Sequence, residues 1–343
     1  MRAARLAIVA LLSVAPPALA GDRPGGIPLG PSRATPVAAP GAIAPHAARP
    51  GAVAGRPAAQ PPNAQPVIAR APAPRPAAPA QIGRVRAEIV LDAATGRVLH
   101  EANADAPARP ASLAKLMTLE RLFAALDAGL LTWESPIRIS PRAASRPATR
   151  LGLPPGAAIT AREAALCLAV HSCNDIATAV AEHLGGSEAA FAQAMTEAAW
   201  GMDLRATRFA NASGLPDPGN VSTARDLARL GGALMARHPR HWPLLGVERW
   251  RHGEAAFRNT ARLIGRNPLI EGGKTGFVQE SGFNMFAAAS APDGRRVIVV
   301  VLGGATAAER DARIAALAEA GLAAIGPGPL RVSANQPGPP AGP

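Results

Sequence analysis

The chain has 343 residues, 48% of them hydrophobic, which is ample for a buried core, and its formal net charge is +12. That charge is scattered as isolated arginines and aromatic residues make up only 3%, so the basicity is compositional bias and not a nucleic-acid-binding surface. Of the 36 basic residues only Lys115 and Lys274 are lysines, and tyrosine is absent.

The chain opens with Arg2 and Arg5, then an apolar run from Leu6 and a small-x-small ending at Ala20. This pattern predicts a cleaved leader over 1 to 20 and export of the mature chain, because the run is too short to span a bilayer. Residues 21 to 82 are mostly Pro, Ala and Gly without apolar periodicity, which predicts a disordered linker; 327 to 343 read the same way. One domain is expected between them, from 83 to 326.

Within it, "AEIVLDAATGRVLHE" alternates around Thr95 and Gly96 and predicts a β-hairpin over 87 to 101. A helix is expected from Ser112 to Gly129, and another from Thr160, where Glu163 completes a capping box, towards His171. Further helices are expected over 174 to 184, 187 to 200, 223 to 236 and 307 to 321, with strands at 283 to 291 and 295 to 304. The result is an α+β arrangement: an antiparallel sheet flanked by helices, interrupted by a mostly helical subdomain.

Cys167 and Cys173 fall in one expected helical region. A continuous helix would hold them roughly 9 Å apart on different faces, so two small buried thiols are expected in preference to a disulfide or a metal pair. His171, His183, His238, His241 and His252 show no metal-ligand spacing, and no cofactor is expected.

Three short motifs follow in order: Ser112-x-x-Lys115, Ser172-x-Asn174, and Lys274-Thr275-Gly276. A serine at a helix start has free backbone N–H groups beside its hydroxyl, and a lysine three residues on shares its face. Burial and a neighbouring cation can make that lysine a neutral base, a part closed to arginine, whose guanidinium stays protonated. Lys274 offers a point charge to a substrate carboxylate, Thr275 a hydroxyl, and Gly276 a strand surface that another backbone can approach closely. Each motif alone is weak; the trio in order carries the signal.

From about residue 86 to 325 the chain resembles the serine-type D-alanyl-D-alanine carboxypeptidases, the low-molecular-mass penicillin-binding proteins. The likeness extends through "LDAATGRVLHEANADAPARPASLAKLMT", "LAVHSCNDIATAVAEHLGG", "ATRFANASGLPDPGNVSTARDLARL" and "DGRRVIVVVLGGATAAERDARI". It implies a β-lactamase/transpeptidase-like fold, with Ser112 as nucleophile, Lys115 as base, and Ser172 and Asn174 as proton relay and substrate clamp. It also implies that Lys274 and Thr275 bind the substrate end, that the backbone N–H groups of Ser112 and Phe277 form an oxyanion hole, and that Arg310 meets the terminal carboxylate. Peptidoglycan stem peptides are the implied substrates and β-lactam antibiotics the implied covalent inhibitors. The sequence departs from the family pattern at Cys173 (usually glycine), Glu271 (usually aspartate) and Ser281 (usually alanine), and from the residues after the last expected helix neither a second β-rich domain nor a C-terminal amphipathic anchor is expected.

A D,D-endopeptidase of the same family and a non-catalytic cell-wall-binding protein are the competing readings. A β-lactamase fits less well, since a chain without tyrosine cannot hold a Tyr-x-Asn motif.

Overall fold

The computed structural model describes residues 82–326. The expected leader, the Pro/Ala-rich linker up to 81 and the tail beyond 326 lie outside the described residues. The alternating "AEIVLD" forms β1 (Ala87–Asp92) and, after Gly96 at φ +72°, pairs antiparallel with β2 (Val98–Ala102). Asp92 holds the turn, accepting from Ala94 N at 2.9 Å and Thr95 Oγ1 at 2.8 Å.

A single 3-10 turn, Ala111–Ala114, precedes α1 (Lys115–Asp127). The helical subdomain then runs through β3 (Pro136–Arg138), α2 (Pro141–Ala144), β4 (Ala158–Thr160), α3 (Ala161–Leu166), α4 (Asn174–Gly185), α5 (Glu188–Gly201) and α6 (Ala224–Arg237). The hairpin β5 (Arg249–His252) and β6 (Ala255–Arg258) closes it. Local chemistry starts these helices: the predicted capping box at Thr160 and Glu163 is present, and Ser187 and Thr223 each accept from the backbone N–H three residues on.

The chain returns to the sheet as β7 (Ile270–Val278), β8 (Gly282–Ser290) and β9 (Arg296–Gly304), and ends on α7 (Ala307–Ile325), capped by Thr306. The strand order is β2-β1-β9-β8-β7, antiparallel throughout. Side chains alternate across it. Val90, Met285, Ala287, Val297 and Val299 meet Ile314, Leu317 and Ala318 of α7, whereas Ile89, Phe286, Ala288, Ile298 and Val300 join the core built from α1, α4 and α6. β9 is apolar along nearly its whole length because both its faces are covered. β7 lies at the open end of the strand order and carries the Lys-Thr-Gly motif.

The α+β arrangement, the first hairpin, α1, α4 to α7 and the last two strands match the expectations. The helix expected from Thr160 towards His171 does not run on into α4. After α3 it widens into a π-helical turn, Cys167–His171, and ends at Ser172, which adopts the left-handed conformation, φ 65° and ψ 37°.

This break corrects the expectation of two separate thiols: Cys167 and Cys173 form a disulfide, their Cα atoms 5.8 Å apart. The expectation assumed one continuous helix, and the wide turn followed by a left-handed residue folds the chain back on itself instead. A non-glycine residue in that conformation costs about 1 to 2 kcal/mol, and a disulfide closing so short a loop contributes about 2 kcal/mol, enough to offset it.

Candidate active site

Ser112 sits in the 3-10 turn at the head of α1, half-buried, with its hydroxyl 3.0 Å from the amine of Lys115. Ala111 before it has φ 50°, and the turn is locked from two sides by glycines. A Cβ on Gly214 would stand 1.8 Å from the Ala111 carbonyl oxygen, and one on Gly276 would stand 3.0 Å from Pro110 O and 3.1 Å from Ser112 N. Both the "NASGLPDPGN" loop and β7 therefore press directly on the backbone of the serine turn.

Lys115 is fully buried. Its Nζ donates to Asn174 Oδ1 at 2.8 Å and to the Ser213 carbonyl at 2.7 Å, with Ser112 Oγ as third neighbour. Asn174 cannot be turned around, because its Nδ2 donates to the carbonyls of Pro147 and Ala148, both at 3.1 Å. Two of the three neighbours thus only accept. A neutral amine has two N–H bonds to give them, which leaves its lone pair on the side of the Ser112 hydroxyl. Burial holds the Lys115 pKa well below the usual lysine range, the positive charge of Lys274 pushes the same way, and Asp175 opposes them.

Lys274, on β7, is also fully buried; its Nζ donates to Ser172 Oγ at 2.8 Å and to its neighbour's carbonyl, Thr275 O, at 3.0 Å. Burial and then the charge of Arg310 lower its pKa to about 7. Thr275 donates its hydroxyl proton to Thr260 Oγ1 at 2.8 Å. Phe277 follows, 53% exposed, with its ring centroid 4.5 Å from that of Phe283 and the two rings tilted at 39°.

Ser112, Lys115 and Asn174 are thus joined in one chain of hydrogen bonds, Gly276 of β7 backs on the serine turn, Ser172 is joined to Lys274, and Thr275 and Phe277 flank Gly276 on the same strand, whereas Arg310 of α7 makes no hydrogen bond to any of these side chains. Its guanidinium is buried, paired with Asp311 and 3.4 Å from the Asn284 carbonyl, and it reaches the site through its charge on Lys274. The family departures have structural roles as well. Cys173 enters the disulfide, Glu271 pairs with Arg296 at 3.0 Å, and Ser281 Oγ accepts from Asn284 Nδ2 at 3.1 Å.

Three contributors escaped the sequence reading. The Ser213 carbonyl is a backbone acceptor that no side chain announces. Asp175 takes the N–H groups of Leu151 at 3.1 Å, Gly152 at 2.8 Å and Ile176 at 2.8 Å, tying the loop around Asn174 to the head of α4. Fully buried Asn284 on β8 links the Arg109 carbonyl, Ser281 and Gly303 N, bracing the segment that leads into the serine turn. A polar residue inside the apolar strand "FNMFAAAS" was the available signal for it.

The histidine side chains named in the sequence reading have other neighbours. His171 packs 4.5 Å from the Phe257 ring, its pKa lowered by burial, and His238 and His241 share the Asp127 carboxylate. Among the described residues no group of three or more His, Cys, Asp or Glu is arranged to hold a metal ion, and no helix is long and apolar enough to cross a membrane.

The chain is similar to known proteins in both sequence and fold. D-alanyl-D-alanine carboxypeptidase DacF of Bacillus subtilis is 32% identical over 234 residues, 67% of this chain and 60% of DacF. DacC of Escherichia coli is 34% identical over 228 residues, 64% of this chain and 57% of DacC. The chain therefore spans about 60% of the length of these curated relatives. Among solved structures, DacD from Francisella tularensis superposes with a TM-score of 0.66 at 26% identity, covering 72% of this chain and 71% of that one. Penicillin-binding protein D2 from Listeria monocytogenes, in its ampicillin-bound form, gives 0.59 at 29% identity, covering 68% and 96%. The fold is that of the low-molecular-mass penicillin-binding proteins. Residues 75–306, more than half of the chain, match the family model described as D-alanyl-D-alanine carboxypeptidase, and the chain belongs to that family.

Proposed function

We propose that the protein is an exported serine D-Ala-D-Ala carboxypeptidase that removes the terminal D-alanine from peptidoglycan stem pentapeptides. The observation that carries the reading is the Lys115 amine: fully buried, with two pure acceptors in Asn174 Oδ1 and Ser213 O, so that its lone pair is left to the Ser112 hydroxyl.

In this reading neutral Lys115 takes the hydroxyl proton as Ser112 Oγ bonds to the carbonyl carbon of the penultimate D-alanine. The backbone N–H groups of Ser112 and Phe277 stabilise the oxyanion. The C–N bond to the terminal D-alanine then breaks, and its nitrogen receives the proton that Lys115 took from Ser112, relayed through Ser172, which leaves Lys115 neutral again. Water attacks the ester with Lys115 again as base, releasing the tetrapeptide and restoring Ser112. Asn174 clamps the substrate, Thr275 and Gly276 receive its backbone, and Lys274 receives the terminal carboxylate with the charge of Arg310 behind it. A β-lactam enters by the same first step and stays on Ser112 as an ester.

The disulfide supports export, since such bonds persist in oxidising compartments. Incubation with a fluorescent penicillin, followed by peptide mass spectrometry, tests the assignment: the adduct is expected on Ser112, and an adduct elsewhere or no labelling overturns it. Release of D-alanine from a pentapeptide, measured beside digestion of a cross-linked dimer, separates the carboxypeptidase from the endopeptidase of the same family.

A further inference from the structure

Ser172 and Asn174 serve two different lysines from one short stretch of backbone. Ser172 Oγ accepts from Lys274 at 2.8 Å, and Asn174 Oδ1 accepts from Lys115 at 2.8 Å. Between them stands Cys173, bonded to Cys167 at the start of the π-helical turn, and both cysteines are fully buried in the core. We propose that the Cys167–Cys173 disulfide is a positioning element of the catalytic site, holding the two lysine partners in register with Ser112.

Ser172 owes its aim to a left-handed backbone, φ 65° and ψ 37°, that a non-glycine residue leaves readily when it is not held. The non-covalent restraints on it are few. Its N–H donates to the Cys167 carbonyl at 2.8 Å, and its carbonyl accepts from Thr149 Oγ1 at 3.2 Å. The Cys173 N–H reaches the same Cys167 carbonyl at a long 3.4 Å. The disulfide closes this turn covalently next to Ser172. Without it, a return of Ser172 to an ordinary backbone conformation swings its Cβ, so Oγ leaves Lys274; Asn174, tied by its N–H to the Thr149 carbonyl at 2.7 Å and by Nδ2 to the carbonyls of Pro147 and Ala148, keeps its place in part and holds the acceptor that orients the Lys115 lone pair less tightly.

Misplacement of a reacting group by 1 Å can cost about a hundredfold in rate. Because the hydrogen bonds around Ser172 survive in part, the expected loss on opening the disulfide is about tenfold in the acylation rate constant. The fraction of protein that can be labelled at Ser112 stays near the wild-type value.

The inference rests on the proposed acylation of Ser112, and the test keeps the two apart. Wild-type protein is reduced with dithiothreitol, its free thiols are counted by alkylation in denaturant, and acylation by fluorescent penicillin is followed by stopped flow with circular dichroism as the check on folding. Reduction removes no side-chain carbon or sulfur, so a cavity left by truncation cannot account for a lost rate. The expected result is full labelling of Ser112 at about one tenth of the oxidised rate, restored on reoxidation, with Cys167→Ala/Cys173→Ala behaving alike. Equal rates for oxidised and reduced protein overturn the proposal. So does a fall in labelled fraction at unchanged rate, or loss of the folded signal in both reduced protein and double variant, because the bond then serves stability alone. Failure of the oxidised wild type to label at Ser112 is instead a failure of the functional assignment.

Discussion

Lys115→Arg separates a base from a mere cation. Arginine keeps the charge that a lysine would carry in water, but it cannot lose its proton, so Ser112 has no group to take its own. Loss of a general base costs about 10² to 10⁴ in rate, or roughly 3 to 5 kcal/mol of barrier. The substitution also has a structural cost. Burial and Lys274 favour a neutral amine at this position, so arginine forces a permanent charge into a fully enclosed site beside a second cation. Lys115→Met is the uncharged control. It leaves Asn174 Oδ1 and Ser213 O without their donor, at about 1 to 3 kcal/mol each, and it removes the base equally. Acylation by penicillin is measured by stopped flow on the folded fraction defined by circular dichroism. Both variants should label at least about a hundredfold more slowly than wild type, and Lys274→Arg, which retains its cation, should be much milder. If Lys115→Arg labels as fast as Lys274→Arg on equal amounts of folded protein, Lys115 is not the base and the lone-pair argument is wrong.

The pH profile of acylation efficiency should be bell-shaped, falling at low pH as Lys115 gains a proton and falling again above about 7 as Lys274 loses the one that meets the carboxylate. Lys274→Arg should abolish the alkaline fall, and an unchanged alkaline limb in that variant would remove Lys274 from the assignment. In thermal unfolding, Lys274, with its pKa lowered in the fold, leaves the unfolded chain holding more protons between about 7 and 10.5. Its contribution to stability therefore rises with pH across that window, and the gap between wild type and Lys274→Met should change in the same sense. Gly214→Ala should lower the melting temperature and suppress labelling together, because the new Cβ meets the Ala111 carbonyl at 1.8 Å and φ is +76°; a variant that labels normally would show that the loop does not support the serine turn. Asn284→Ala removes hydrogen bonds to Arg109 O, Ser281 Oγ and Gly303 N from a fully buried position and should cost about 2 to 4 kcal/mol in denaturant unfolding; a loss below about 1 kcal/mol would mean that other groups brace the turn.

Local signals were enough for most of the secondary structure. Caps at Thr160, Ser187, Thr223 and Thr306 start helices whatever surrounds them, and the alternating β1 and the apolar β9 declare their period or their burial within a few residues. The short strands β3 to β6 carried no such signal, because their pairing is decided by the elements they lie against. The candidate site residues were legible because the chemistry proposed for them restricts identity: a base can be lysine where it cannot be arginine, and a chain with two lysines placed both in the trio. What those residues touch was not legible. The Ser213 carbonyl, the hydrogen bonds of Asp175 and Asn284, and the approach of Gly214 and Gly276 to the serine turn come from segments far apart in the chain, and backbone acceptors and close contacts leave no mark on residue type. The cysteines show the same limit most directly. Their spacing in a straight helix forbids a bond, and only the π-helical turn and the left-handed Ser172, sustained by the packing and hydrogen bonds around them, bring the two sulfurs together.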